Sequence, residues 1–123
     1  MDPLQVAERY SAAIDAADDD ALRDCYTPDA RIWHNTDGKE QTVDENLAVG
    51  RWLRRKVPDV AFTDVRTVAA ASGFVRLSVL RGTAPDGSDL RVPSCIVGFV
   101  TAGGQIERIE EYLDPTPLNA VRS

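Results

Sequence analysis

The chain has a single histidine, two cysteines and one methionine. With so few soft ligands, and no cluster of histidine, cysteine and carboxylate at ligand spacing, the sequence offers no metal site. Two thiols make no disulfide framework either, and Cys25 and Cys95 read as reduced. Positive charge is in deficit: 14 lysines and arginines stand against 20 acids, a net charge of −6. An acidic surface repels phosphate backbones, so nucleic acid is not expected as a partner. No apolar run approaches the ~18 residues that span a bilayer, and the first residues carry no basic, signal-like stretch. The expectation is a cytoplasmic protein without a membrane partner. There is no Gly-Xaa-Ser-Xaa-Gly elbow, phosphate-binding glycine loop or dinucleotide fingerprint. Internal repeats and low-complexity linkers are also missing.

What remains is an ordinary globular composition, 43% apolar and 28% charged, over 123 residues. That length suits one domain, residues 1–123, able to hide roughly two-thirds of its unfolded surface. The first helix is predicted from about Pro3 to Ala17. Asp2 is placed to cap it, and Val6, Tyr10, Ala13, Ile14 and Ala17 form its apolar face. The aspartates at 18–20 end it and cap a short second helix, about Ala21 to Tyr26. Thr27-Pro28-Asp29 reads as a turn before an opening strand, Ala30 to Asn35. A third helix, Val43 to Lys56, starts on a capping box of Thr42 and Glu45 and stops before Pro58. Its basic end, Arg51 to Lys56, reads as a solvated terminus in preference to an anion site.

From Val60 the period changes to two. Strands are predicted at Phe62–Ala70, Phe74–Thr83, Leu90–Thr101 and Ile106–Leu113, separated by Gly- and Pro-marked turns. Pro93 marks an edge or a bulge. Helices first and an antiparallel meander afterwards make an α+β plan, with helices on one face of a curved sheet.

The chemistry lies in the strand parities. Ala30, Ile32 and His34 share one face of the opening strand. Ile109, Glu111 and Leu113 share one face of the last, and Arg76 lies on the polar side of the strand from Phe74. A glutamate between large aliphatics calls for a cation nearby, and Arg76 is the candidate. That pair either serves a site or only fixes strand packing. A histidine on a covered face can exchange a proton near neutral pH, or can be a hydrogen-bonded core residue. Tyr10 needs a partner for its hydroxyl, which a pocket wall would supply. Asn35 either orients a water or starts the following turn. Trp33 and Trp52 read as packing.

The order of these pieces resembles the cone-shaped nuclear transport factor 2-like superfamily, which includes ketosteroid isomerases, SnoaL-like polyketide cyclases and limonene epoxide hydrolases. The resemblance rests on residues 8–14 (ERYSAAI), on Tyr26-Thr27-Pro28-Asp29-Ala30 leading into Trp33-His34-Asn35, and on Gly103-Gly104-Gln105-Ile106 leading into residues 109–115 (IEEYLDP). It implies a cystatin-like α+β cone: N-terminal helices packed on a curved antiparallel sheet. Against ketosteroid isomerases, Tyr10 falls on the tyrosine that binds the substrate oxygen and His34 on the proton-moving aspartate. Cys95 falls on the second oxyanion donor, where a thiol donates only weakly. Against epoxide hydrolases, Arg76 and Glu111 match two members of the charged triad, with Ser78 in place of the third.

The resemblance therefore implies an enzyme that isomerises, cyclises or hydrates a hydrophobic small molecule without cofactor or metal. His34, Tyr10, Glu111 and Arg76 would be its catalytic residues. Ile32, Asn35, Ser78, Cys95, Val97, Phe99, Ile109 and Leu113 would line its pocket. The alternatives are a ligand-binding or accessory module on the same fold and, further off, an epoxide hydrolase. A homodimer is expected through the outer sheet face, where Val75, Leu77 and Val79 give an apolar patch.

Overall fold

A computed structural model describes residues 2–122. Two helices come first, α1 (Pro3–Asp15) and α2 (Asp19–Asp24), followed by strands β1 (Tyr26–His34) and β2 (Glu40–Thr42) and helix α3 (Val43–Lys56). Four long strands follow: β3 (Ala61–Ala70), β4 (Gly73–Thr83), β5 (Asp89–Val100) and β6 (Ile106–Leu113). A 3-10 turn, Thr116–Leu118, and a last short helix α4 (Asn119–Arg122) end the described chain. The strands form one curved, open sheet in the order β2-β1-β6-β5-β4-β3. One junction departs from the expected antiparallel plan: β1 runs parallel to β6. The sheet is therefore mixed, because its first long strand returns beside its last.

The helices begin where their caps dictate. The Asp2 carboxylate accepts from the Leu4 amide at 2.9 Å, with Pro3 in the first turn. α1 ends at Asp15, two residues short of expectation, since Ala17 turns the chain at a left-handed φ of 51°. Asp18 then caps α2 by accepting from the Ala21 amide. The Thr42–Glu45 capping box of α3 forms in both directions. On the inner side, α1 packs on β3 and β4, and α3 on β1 and β2.

The expected turn at Thr27-Pro28-Asp29 is strand instead. Pro28 is tolerated because the β1–β6 register breaks between Tyr26 and Arg31, so no ladder bond is asked of its missing N–H. Pro93 sits just beyond the last β5–β6 pair, Ser94 with Leu113, where β5 has no paired strand on that side.

Parity decides which side chains face the helices. Phe74, Arg76, Ser78 and Leu80 of β4 are buried, as are Leu90, Val92, Ser94 and Ile96 of β5. Val75, Leu77 and Val79 lie on the opposite, outer face, as expected. So do Cys95, Val97 and Phe99, which corrects their assignment to the pocket. With a period of two, a strand that turns Ser94 and Ile96 inward must turn these three outward. The main core joins Val6, Tyr10, Phe74, Ile96, Ile106 and Ile109. A second cluster gathers Val57, Leu80, Leu90, Val92 and Val121.

Candidate functional site

One row of residues crosses the inner face of the sheet. The registers align Thr67 of β3 with Arg76 of β4, Arg76 with Ile96 of β5, Ile96 with Glu111 of β6, and Glu111 with His34 of β1. Neighbouring strands are spaced about 4.8 Å apart, so His34 and Glu111 stand side by side while Arg76 is two strands from Glu111. The row forms part of the wall of a cavity of about 470 Å³. Tyr10 and Ile14 of α1, Leu47 and Leu53 of α3, and Phe62 of β3 close much of the rest.

The His34 Nε2 lies 3.1 Å from the Glu111 Oε1, with both side chains less than a fifth exposed. The other carboxylate oxygen, Oε2, accepts from the Ser94 hydroxyl at 2.8 Å. Glu111 is thus fixed from both sides. If Nε2 carries the proton it donates to Glu111, and the second ring nitrogen is left with a lone pair. This is the orienting arrangement that makes an imidazole a positioned base.

Arg76 does not complete that chain. No ion pair joins it to Glu111 among the described residues; Ile96 stands between them in the row. Its Nε donates to the Ser11 hydroxyl at 2.9 Å and its Nη1 to Ser78 at 3.4 Å, with the guanidinium 5.0 Å over the Phe62 ring. Arg76 is fully buried, and its Nη2 finds no hydrogen-bond partner. The expected support of Glu111 by Arg76 is corrected accordingly: Ser94 provides it.

Tyr10 lies on the buried face of α1, with its ring against Tyr26 and Phe74, each centroid 6.1 Å away. Burial, and then the negative charge of Glu111, pushes its phenol up to about 12. It is a neutral donor at ordinary pH. Arg51 and Arg54 of the basic α3 end both pair with Asp19, at 2.7 and 3.4 Å, and Asp19 and Arg54 line the cavity too.

Of the expected site residues, the cavity wall brings together His34, Tyr10, Glu111, Arg76, Ile32 and Ile109. Ser78 is buried against Arg76. Asn35 is structural: its amide donates to the Leu113 carbonyl and accepts from the Leu113 amide, tying the end of β1 to β6. Leu113 packs on the second cluster and not on the cavity. Cys95, Val97 and Phe99 are on the far face. Two participants were not anticipated, Ser94 and Ser11. The alternation of Leu90, Val92, Ser94 and Ile96 carried the signal for Ser94; a lone serine beside Tyr10 carried none for Ser11. Among the described residues, no group of three histidine, cysteine or acidic side chains converges as metal ligands, and no helix is long and apolar enough to cross a membrane.

Comparison with known proteins follows the same lines. A family model of the SnoaL-like domain matches residues 7–109. No curated protein matches the chain. Among solved structures, IdmH of Streptomyces antibioticus, described as a candidate polyketide cyclase, superposes with a TM-score of 0.83 at 20% identity, covering 99% of both chains. A protein of Xanthomonas campestris with the same description gives 0.82 at 17% identity, over 98% of this chain and 96% of that one. A hypothetical protein of ketosteroid isomerase-like fold from Catenulispora acidiphila, in complex with trimethylamine, gives 0.74 at 17% identity, over 91% of this chain and 86% of that one.

Proposed function

The chain belongs to the SnoaL-like domain family, and from that premise we propose an acid–base enzyme that isomerises, cyclises or hydrates a hydrophobic small molecule, without a cofactor. His34 is the general base. Glu111 orients its ring and stabilises the imidazolium that forms when His34 takes a proton, and Ser94 holds Glu111 in place. Tyr10 keeps its own proton up to about pH 12 and donates to negative charge developing on the substrate oxygen. The observation that carries this reading is the His34–Glu111–Ser94 chain, at 3.1 and 2.8 Å, on a cavity wall shared with Tyr10. The neighbours described as polyketide cyclases agree with it as fold analogies.

The test is turnover of a panel of hydrophobic ketones, lactones and epoxides. His34→Ala lowers kcat/KM on any substrate found by about 10²–10⁴-fold, as loss of a general base does, while circular dichroism stays native. An unchanged rate removes His34 from the chemistry. One observation favours a second reading, a ligand-binding module without chemistry: Cys95, expected as the second oxyanion donor, faces away from the cavity, and the apolar Ile96 stands in the row. The epoxide hydrolase reading loses support, because Arg76 bonds serines and is not paired with Glu111.

A further inference from the structure

Among the described residues, Arg76 is the one charged side chain that is buried. Its guanidinium has no exposed surface, and its hydrogen-bond partners are two neutral hydroxyls, Ser11 and Ser78. The terminal Nη2 has none. Removing a guanidinium from water is costly unless an anion returns the interaction. The carboxylate nearest in the row, Glu111, is two strands away and already engaged by His34 and Ser94. Arg76 nevertheless belongs to the cavity wall. We infer that Arg76 is an anion-binding residue of this cavity, and that the natural ligand is an apolar acid whose carboxylate docks on Nη2.

The inference rests on the reading of the cavity as a small-molecule site and gives that site a ligand class and a polarity. The wall holds a second arginine, Arg54, but Arg54 is paired with Asp19; the one unmatched cation, Arg76, suits a single negative charge. A phosphate dianion would need more donors than two serines and one guanidinium edge, and would face the Glu111 carboxylate across Ile96. Phe62 covers one face of the guanidinium, and its edge is closed over as well; a carboxylate docks on that edge by parting the side chains packed against it, and a planar group is favoured. The row also sets a length. Arg76 and His34 are three strand spacings apart, about 14 Å between backbones. A ligand anchored on Arg76 therefore presents to His34 a carbon remote from the carboxylate, not the one adjacent to it.

Binding of matched probes to the intact protein tests this: decanoate, methyl decanoate and decylammonium, followed by calorimetry. Decanoate is expected to bind about tenfold or more tighter than its methyl ester, the worth of one charge-assisted hydrogen bond, and decylammonium weakest. Arg76→Gln should abolish the preference of acid over ester, and His34→Gln should retain it. Should Arg76→Gln fail to fold, the comparison of acid and ester on the unmodified chain still decides. Equal affinities for acid and ester overturn the Arg76 assignment and leave the cavity reading standing. A preference that vanishes in His34→Gln and persists in Arg76→Gln moves the anion to the imidazole and also overturns it. No binding by any probe overturns both the assignment and the small-molecule reading beneath it.

Discussion

Tyr10 connects the site to the stability of the chain. Its phenol is pushed up to about 12 by burial first and by the Glu111 charge second, from an ordinary 10. In the unfolded chain the same phenol ionises near 10. Below that pH both states hold the proton and stability is complete. As pH rises from 10 through about 12, the unfolded chain releases the proton while the folded chain keeps it, so stability is lost. A shift of this size corresponds to roughly 2–3 kcal/mol at the upper end. Urea denaturation at steps from about pH 8 to about pH 12 should show this fall, and Tyr10→Phe should make it shallower, the remainder coming from Tyr26, whose phenol burial raises too. An equally steep fall in the variant would place the effect elsewhere. The residue scale is also where the sequence was most readable and most misleading. His34, Glu111 and Tyr10 stood out because a lone histidine, a carboxylate between aliphatics and a tyrosine on an apolar helix face each demand a partner. The partners were less legible. Arg76 looked like the counter-ion of Glu111 because charge complementarity carries no distance, and the strand between them is set by sheet order. Cys95 was drawn inside by family resemblance, although the parity of Val92 and Ile96 already pointed to Ser94.

At the scale of elements, one glycine holds the inner face together. Gly98 lies opposite Phe74 across the β4–β5 ladder, and a Cβ there would stand 2.5 Å from two carbons of that ring. Phe74 is fully buried and packs on Tyr10, so its ring has little room to retreat. Gly98→Ala is expected to cost about 1–3 kcal/mol, the usual range for overpacking a tight core, read as a lower midpoint in urea with an unchanged slope. A variant as stable as the parent would show that β5 can shift to make room. Local signals located most elements well. α3 and β6 span the residues expected, because a capping box, a stop before Pro58 and a Gly-Gly hairpin are all written in adjacent residues. The short strand β2 and the terminal helix α4 left no such mark: three or four residues show no period, and their order comes from tertiary contacts. Val121, for example, is buried among Val57, Leu80, Leu90 and Val92. The parallel β1–β6 pairing was equally hidden, since nothing local to either strand says which distant strand it will meet or in which direction.

For the whole molecule, the sheet has two faces and the helices cover one. α1 and α3 close the inner side, while the outer side carries Val75, Leu77 and Val79 on β4 beside Cys95, Val97 and Phe99 on β5, all only partly buried. Val68 and Tyr112 extend the patch and are 55% and 45% exposed. Charged residues surround this apolar centre, among them Arg66 and Arg91 and the Arg108–Glu110–Glu40 ion-pair network. Protein interfaces share this layout of an apolar centre and a charged rim. A second copy of the chain fits it by symmetry, as an isologous contact needs only one such patch. The chain is therefore expected to sediment near twice the 13.4 kDa of one copy. Leu77→Glu, which sets a charge at the centre of the patch, should return it to a single copy without disturbing the inner face, because Leu77 and the row through Arg76 point to opposite sides of β4. Sedimentation of the unmodified chain at the mass of one copy, across micromolar to millimolar concentrations, would leave the patch without this partner. A dimer that persists in Leu77→Glu would move the contact to another surface.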